Sequence, residues 1–197
     1  MSTLAMRPAE ALPLDTSRGT ASMVLFIVTE AMLFVALFFA YFFFGREQAH
    51  WPMDDPPKLV LALTMLGVLL LSSVVLQWGE IASRRGRGVT ARLCIVLTLL
   101  LGLTFVVLQF FEYRDHLRTL KPTTDVYGSI FYLITSVHGL HIGLGLCMLL
   151  FVLVQPQLAP TNRPPHRPLH NASLYWHFVD AAWVFIVAIL YVLPHLV

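Results

Sequence analysis

The chain has 197 residues, 57% of them hydrophobic and only 12% charged, against a charged share of about 25% in soluble domains. That composition excludes an ordinary soluble enzyme or a disordered segment and indicates an integral membrane protein. A formal charge of +2 supplies no strongly basic surface, so no nucleic-acid partner is expected.

Runs almost free of charge occur at Ser22 to Phe44, Leu59 to Trp78, Leu93 to Phe111, Val126 to Val154 and Ala172 to Leu193. Each is near or above the roughly 20 residues that cross a bilayer core as a helix. The runs are continuous rather than alternating in polarity, which favours helices over a β-barrel. The prediction is an all-α polytopic protein. A bundle of five transmembrane helices (spans about 20–44, 59–82, 91–112, 126–154 and 172–194) forms one domain, residues 19–197, behind an N-terminal tail, residues 1–18.

The tail carries Pro8, Glu10, Pro13 and Asp15. The apolar run behind it is longer than the roughly 7 to 15 residues of a signal-peptide core, so the first helix is expected to stay. Its one carboxyl, Glu30, sits a little over two turns in. A lone carboxyl at that depth is predicted either to handle protons or face a partner, or to be a protonated group bonded to a neighbouring helix.

The connector that follows, with Trp51-Pro52 and Pro56-Pro57, reads as an external loop with an interfacial aromatic. In the second span Ser72 and Ser73 are predicted helix-contact residues. The third span ends in Gln109-Phe110-Phe111-Glu112-Tyr113-Arg114, where Glu112 and Arg114 are expected to be solvated at the membrane surface. Cys94 and Cys147 lie within spans and read as packing residues.

Val126 to Val154 exceeds the bilayer requirement and predicts a tilted helix. It holds His138 and His141 at i,i+3, expected to make interhelical hydrogen bonds in preference to ligating a metal or haem. Gly139 and Gly143 are predicted to admit a neighbouring backbone. The connector from Gln155 to His170 contains five prolines, too many for regular structure.

The last span embeds Tyr175-Trp176-His177-Phe178-Val179-Asp180 and Trp183 in apolar sequence. The i,i+3 spacing puts His177 and Asp180 on one helix face. Ionisable groups at membrane depth turn toward protein or a wet cavity, so this face is expected to dock onto something.

Counting Lys and Arg outside the spans gives eight on the side of the N-terminus (Arg7, Arg18, Arg84, Arg85, Arg87, Arg92, Arg163, Arg167) and five on the other (Arg46, Lys58, Arg114, Arg118, Lys121). The positive-inside rule then puts the N-terminus in the cytoplasm and the C-terminus outside. No phosphate-binding glycine loop, nucleophile elbow or zinc spacing is present. No catalytic constellation and no metal site is expected in this chain.

The residues Gln109-Phe110-Phe111-Glu112-Tyr113, Asp125 to Tyr132, His138-Gly139-Leu140-His141, and Tyr175 to Asp180 with Trp183 resemble, in order and spacing, subunit III of the haem-copper terminal oxidases, the cytochrome c oxidase subunit III type. Thr29-Glu30 is similar to that family's buried carboxyl, and Leu71-Ser72-Ser73 to its serine pair. The family's long form has seven helices in two groups around a phospholipid cleft, and this chain resembles a short bacterial form lacking the first two. Gln155 stands where long forms carry a basic headgroup-binding residue, so the resemblance does not by itself give His141 a phospholipid role.

The resemblance implies a cofactor-free, non-catalytic subunit in the bacterial inner membrane. It would pack on subunit I, with subunit II in the same complex, haem and copper in those partners, and structural phospholipids at its surface. The implied role is support of subunit I stability, proton uptake and lipid binding. Glu30 would face subunit I or lipid, with His138, His141, Trp176, His177 and Asp180 in the interior polar network. The related alternatives are subunit III of a quinol oxidase and the subunit-III-like accessory protein of nitric oxide reductase. From other classes come a self-sufficient cytochrome with His138, His141 and His177 as haem ligands, and a transporter lined by Glu30 and Asp180.

Overall fold

A computed structural model describes residues 16–46, 59–116, 126–155 and 166–196. The tail before Thr16, the connector holding Trp51-Pro52 and Pro56-Pro57, and the proline-rich connector after Gln155 lie outside the described residues. Among the described residues five helices are long and apolar enough to cross a membrane: α1 (Thr16–Gly45), α2 (Leu59–Arg84), α3 (Gly88–His116), α4 (Val126–Val154) and α5 (His166–Ile186). Helix α5 continues through a wide π-turn, Val187–Val192, into a short 3-10 turn, Leu193–His195. In lipid each segment has to satisfy its own backbone groups, which is why such runs close as helices.

Helices α2, α3, α4 and α5 form a ring in which each packs on the next and α5 returns to α2, while α1 lies over the α4–α5 seam. The α2–α3 link is tight. Gly86 takes φ +73°, a left-handed conformation open to a residue without Cβ. The Arg87 amide donates to the Ala82 carbonyl at 2.9 Å and the Gly86 amide to Ser83 at 3.0 Å.

Between lipid-solvated helices there is no hydrophobic drive to associate, so close fit and polar contacts hold them together. Both converge on Trp176, which is fully buried. A Cβ added to Gly102 of α3 would lie 2.8 Å from the indole Cη2, and one added to Gly145 of α4 would lie 2.8 Å from its Cε3. The indole N–H donates to Ser72 Oγ of α2 at 2.9 Å. One α5 side chain therefore touches the other three helices of the ring.

The glycines that permit close approach differ from those expected. A Cβ on Gly143 would meet nothing within 4 Å, and one on Gly139 would meet the Gln109 side chain, with Oε1 at 3.1 Å, rather than backbone. The tight α2–α3 approach is at Gly79, whose Cβ would lie 2.8 Å from Cys94 Cβ. Cys147 is exposed.

Below Trp176 an aromatic layer continues the core: Trp183 meets Phe105 edge-on at 4.9 Å and stacks on His138 at 4.9 Å, and Phe131 meets Tyr191 at 5.6 Å. Helix α1 is thinly packed. Phe34 and Tyr41 are its buried hydrophobics, while Leu25, Met32, Val35 and Phe39 face outward.

The indole is rigid, so a methyl group at its contact has to displace a helix, and such overpacking costs about 1–3 kcal/mol. Gly145→Ala is accordingly expected to lower the unfolding temperature of the detergent-solubilised protein, whereas Gly143→Ala leaves it unchanged. Thermal unfolding of the two variants checks this; equal behaviour would contradict the wedge.

Candidate functional site

Polar groups inside the membrane part gather along two seams on either side of α5. On the α2–α5 seam, Ser73 donates its hydroxyl proton to Asp180 Oδ2. The imidazole of His177 lies beside them, Nδ1 3.1 Å from Ser73 Oγ and 3.9 Å from Asp180 Oδ2. Because the serine proton serves the carboxylate, Nδ1 has to donate to Ser73. The other ring nitrogen is 3.2 Å from Gln77 Oε1 and 3.4 Å from Ser173 Oγ.

Asp180 is buried, yet the His177 side chain is 41% exposed, and Gln77 beside it is exposed. His177 stands nine residues inside the span that begins at Pro168, roughly 13 Å along the axis. It is open at membrane depth. Around it the outward strip of α5 is Leu174, Ala181, Val184, Phe185 and Ala188.

On the α1–α4 seam Glu30 Oε2 meets His141 Nε2 at 3.0 Å. The opposite ring nitrogen, Nδ1, is 2.7 Å from the Val137 carbonyl, which can only accept, so Nδ1 carries a proton. One further proton is therefore shared between Nε2 and the carboxyl. Drawn as acid plus imidazole or as carboxylate plus imidazolium, the pair has no net charge. Phe34 covers the imidazole at 5.0 Å, and Tyr175 donates to the His141 carbonyl at 3.3 Å.

The structure thus splits the expected interior network in two. Glu30 joins His141, His177 and Asp180 join Ser73, and Ser72 with Trp176 belongs to the packing wedge. His138 departs from expectation. It is fully buried, neither ring nitrogen has a hydrogen-bond partner, and its ring is enclosed by Trp183, Phe105 and Phe34. An imidazole behaving as an aromatic packing piece replaces the expected interhelical hydrogen bond, because the facing positions on α1, α3 and α5 are aromatic. Of the three histidines named as haem-ligand candidates, His138 and His141 share Phe34 as a neighbour but of these two only His141 has a hydrogen-bond partner, and His177 lies on the α2–α5 seam. Among the described residues no three His, Cys, Asp or Glu side chains are grouped as a metal site.

Glu112 also departs. Expected to be solvated, it is 2% exposed and accepts a hydrogen bond from Tyr191 at 2.8 Å. The π-turn of α5 brings Tyr191 over the end of α3. Beside it Tyr113 donates to Thr135 Oγ1 at 2.7 Å and Gln109 to the Thr135 carbonyl at 2.8 Å. Gly139 leaves room for that amide.

A further cluster at the opposite end was missed. Glu80, 6% exposed, accepts from Arg84 at 2.6 Å and lies 2.9 Å from His170 Nδ1 of α5. The i,i+4 Glu–Arg spacing was a usable signal. His170, ninety positions away, left none.

With this geometry in place the comparisons are specific. Residues 16–194 match the family model described as cytochrome c oxidase subunit III. Cytochrome c oxidase subunit 3 of Synechocystis sp. is 35% identical over 173 residues, covering 86% of this chain and 73% of that protein. A probable cytochrome c oxidase subunit 3 of Mycobacterium leprae is 37% identical over 85% of this chain and 84% of its own length. The sea-star Pisaster ochraceus protein of the same name is 33% identical over 90% and 71%. The chain is a multi-pass membrane protein that belongs to the cytochrome c oxidase subunit III family, the third subunit of a multi-subunit haem-copper oxidase.

Proposed function

We propose that this chain is a non-catalytic subunit III of a proton-pumping cytochrome c oxidase in a bacterial cytoplasmic membrane. It packs on subunit I through its α1–α5–α2 face, holds lipid on the α1–α4 side, and sustains subunit I stability and proton uptake. Haem and copper belong to the partner subunits, and the N-terminus is cytoplasmic. The observation that carries the reading is the half-exposed His177 beside buried Asp180 at membrane depth. An ionisable side chain facing acyl chains is costly, and protein cover removes that cost.

Small residues Ala181 and Ala188 on the same strip leave room for a partner helix to come close. Lipid retention is supported by a mostly apolar groove lined by Met23, Cys147, Met148, Phe151, Pro168 and Asn171. The choice of cytochrome c over quinol as donor rests on the names of the relatives. A neighbouring gene for a subunit II with a copper-binding soluble domain supports it; one without that domain points to a quinol oxidase.

A photo-crosslinking residue at position 181 is expected to capture subunit I in the native membrane, while the same residue at Leu100 on α3 does not. Capture at 100 but not at 181 would contradict the assignment of the face. Asp180→Leu strands Ser73 and His177, at a cost of about 1–3 kcal/mol. Its expected result is loss of this chain from the complex during detergent purification; full co-purification would count against it. Glu30→Gln is expected to leave the initial rate of oxygen reduction near normal and to shorten the period over which turnover is sustained. Immediate loss of oxygen reduction in an assembled complex would overturn the role given to Glu30.

A further inference from the structure

We infer that the α2–α3 turn and the outward face of α3 together bind an anionic phospholipid, the phosphate on Arg85, Arg87 and Arg92 and the acyl chains along α3. This needs only the spans and the side chains, and is independent of the docking face assigned above.

The turn is built to display charge. Its left-handed Gly86 and two backbone hydrogen bonds fix the path of the chain, so Arg85 and Arg87 are held at the end of two spans, where headgroups lie. Arg84 is folded back onto Glu80. Arg85, Arg87 and Arg92 are exposed. Among the described residues Glu80 is the one acid at this end of α2 and α3, and it is already bonded to Arg84 and His170. Among the described residues these three guanidinium groups have no counter-charge.

What lies below them commits the occupant to lipid. At 100° per residue Arg92, Val96, Leu99 and Leu103 share one narrow stripe of α3 in the leaflet next to the turn. Val96 is 40% exposed and Leu103 52%. Arg92 and Leu103 are separated by roughly 16 Å of helix rise, close to the half of the roughly 30 Å hydrocarbon core that the acyl chains of one leaflet fill. An acidic protein surface would match the arginines and leave the apolar stripe unexplained. A two-chain anionic lipid matches both.

The test uses the whole complex in lipid nanodiscs, with phosphatidylglycerol or phosphatidylcholine carrying a photoreactive acyl chain and the labelled peptides mapped by mass spectrometry. Phosphatidylglycerol is expected to label the α3 stripe in preference to phosphatidylcholine. The combined Arg85→Gln, Arg87→Gln and Arg92→Gln variant should lower that preference by on the order of fivefold or more. Its unchanged phosphatidylcholine labelling would show that α3 is still in place, and the corresponding Lys variant should retain the preference. The paired Glu80→Gln and Arg84→Gln variant, which removes equal and opposite charge, should keep it too. Equal labelling by the two lipids in the native chain, or a preference that survives the triple substitution, overturns the inference. So does displacement of the lipid by millimolar inorganic phosphate, which would make the turn a site for a free anion.

Discussion

The placement of the Ser73–His177–Asp180 cluster depends on how one indole is seated. Trp176 fills the gap that Gly102 and Gly145 leave in α3 and α4, and its N–H reaches Ser72 of α2. A rigid ring held from three sides leaves α5 little freedom to rotate. Since successive residues are 100° apart, fixing Trp176 inward sends His177 and Asp180 toward α2 and Tyr175 and Phe178 toward α1 and α4. The polar seam between α2 and α5 is a consequence of that single orientation. A rotation by one residue would point Asp180 or His177 at lipid and empty the wedge.

The bilayer explains the form these seams take. Glu30 and His141 are combined so that they carry no net charge, and aromatic rings wall off the imidazole. Glu112 is capped by Tyr191, and Asp180 by Ser73. In each case a carboxyl is matched by a donor on another helix, which both lowers its burial cost and ties the helices together. His177 is the exception: its ring is engaged on both nitrogens yet open on one side. On the function proposed above, a neighbouring subunit of the oxidase covers that opening.

The five spans were legible because hydropathy integrates over about 20 residues and does not depend on tertiary detail. The shared face of His177 and Asp180 was legible because helix geometry fixes i,i+3 neighbours. Long-range partners were not. Nothing in the local sequence announces that Glu30 meets His141 or that Glu80 meets His170, because those contacts depend on which helices lie side by side. Glu112 departs from the solvated position its sequence suggests for a related reason. Its position at a helix end suggested solvent, but the π-turn, which no periodicity in Val187 to Val192 reveals, carries Tyr191 over it. The chemistry of His138 alone points to a hydrogen-bonding group, whereas its surroundings are three aromatic rings.

The most direct measurement is a structure of the intact complex in a lipid nanodisc that identifies what lies against His177. The account predicts a transmembrane helix of the large catalytic subunit, covering the imidazole and the strip through Ala181. Ordered acyl chains in contact with His177, with the large subunit seated on α3 instead, would contradict it.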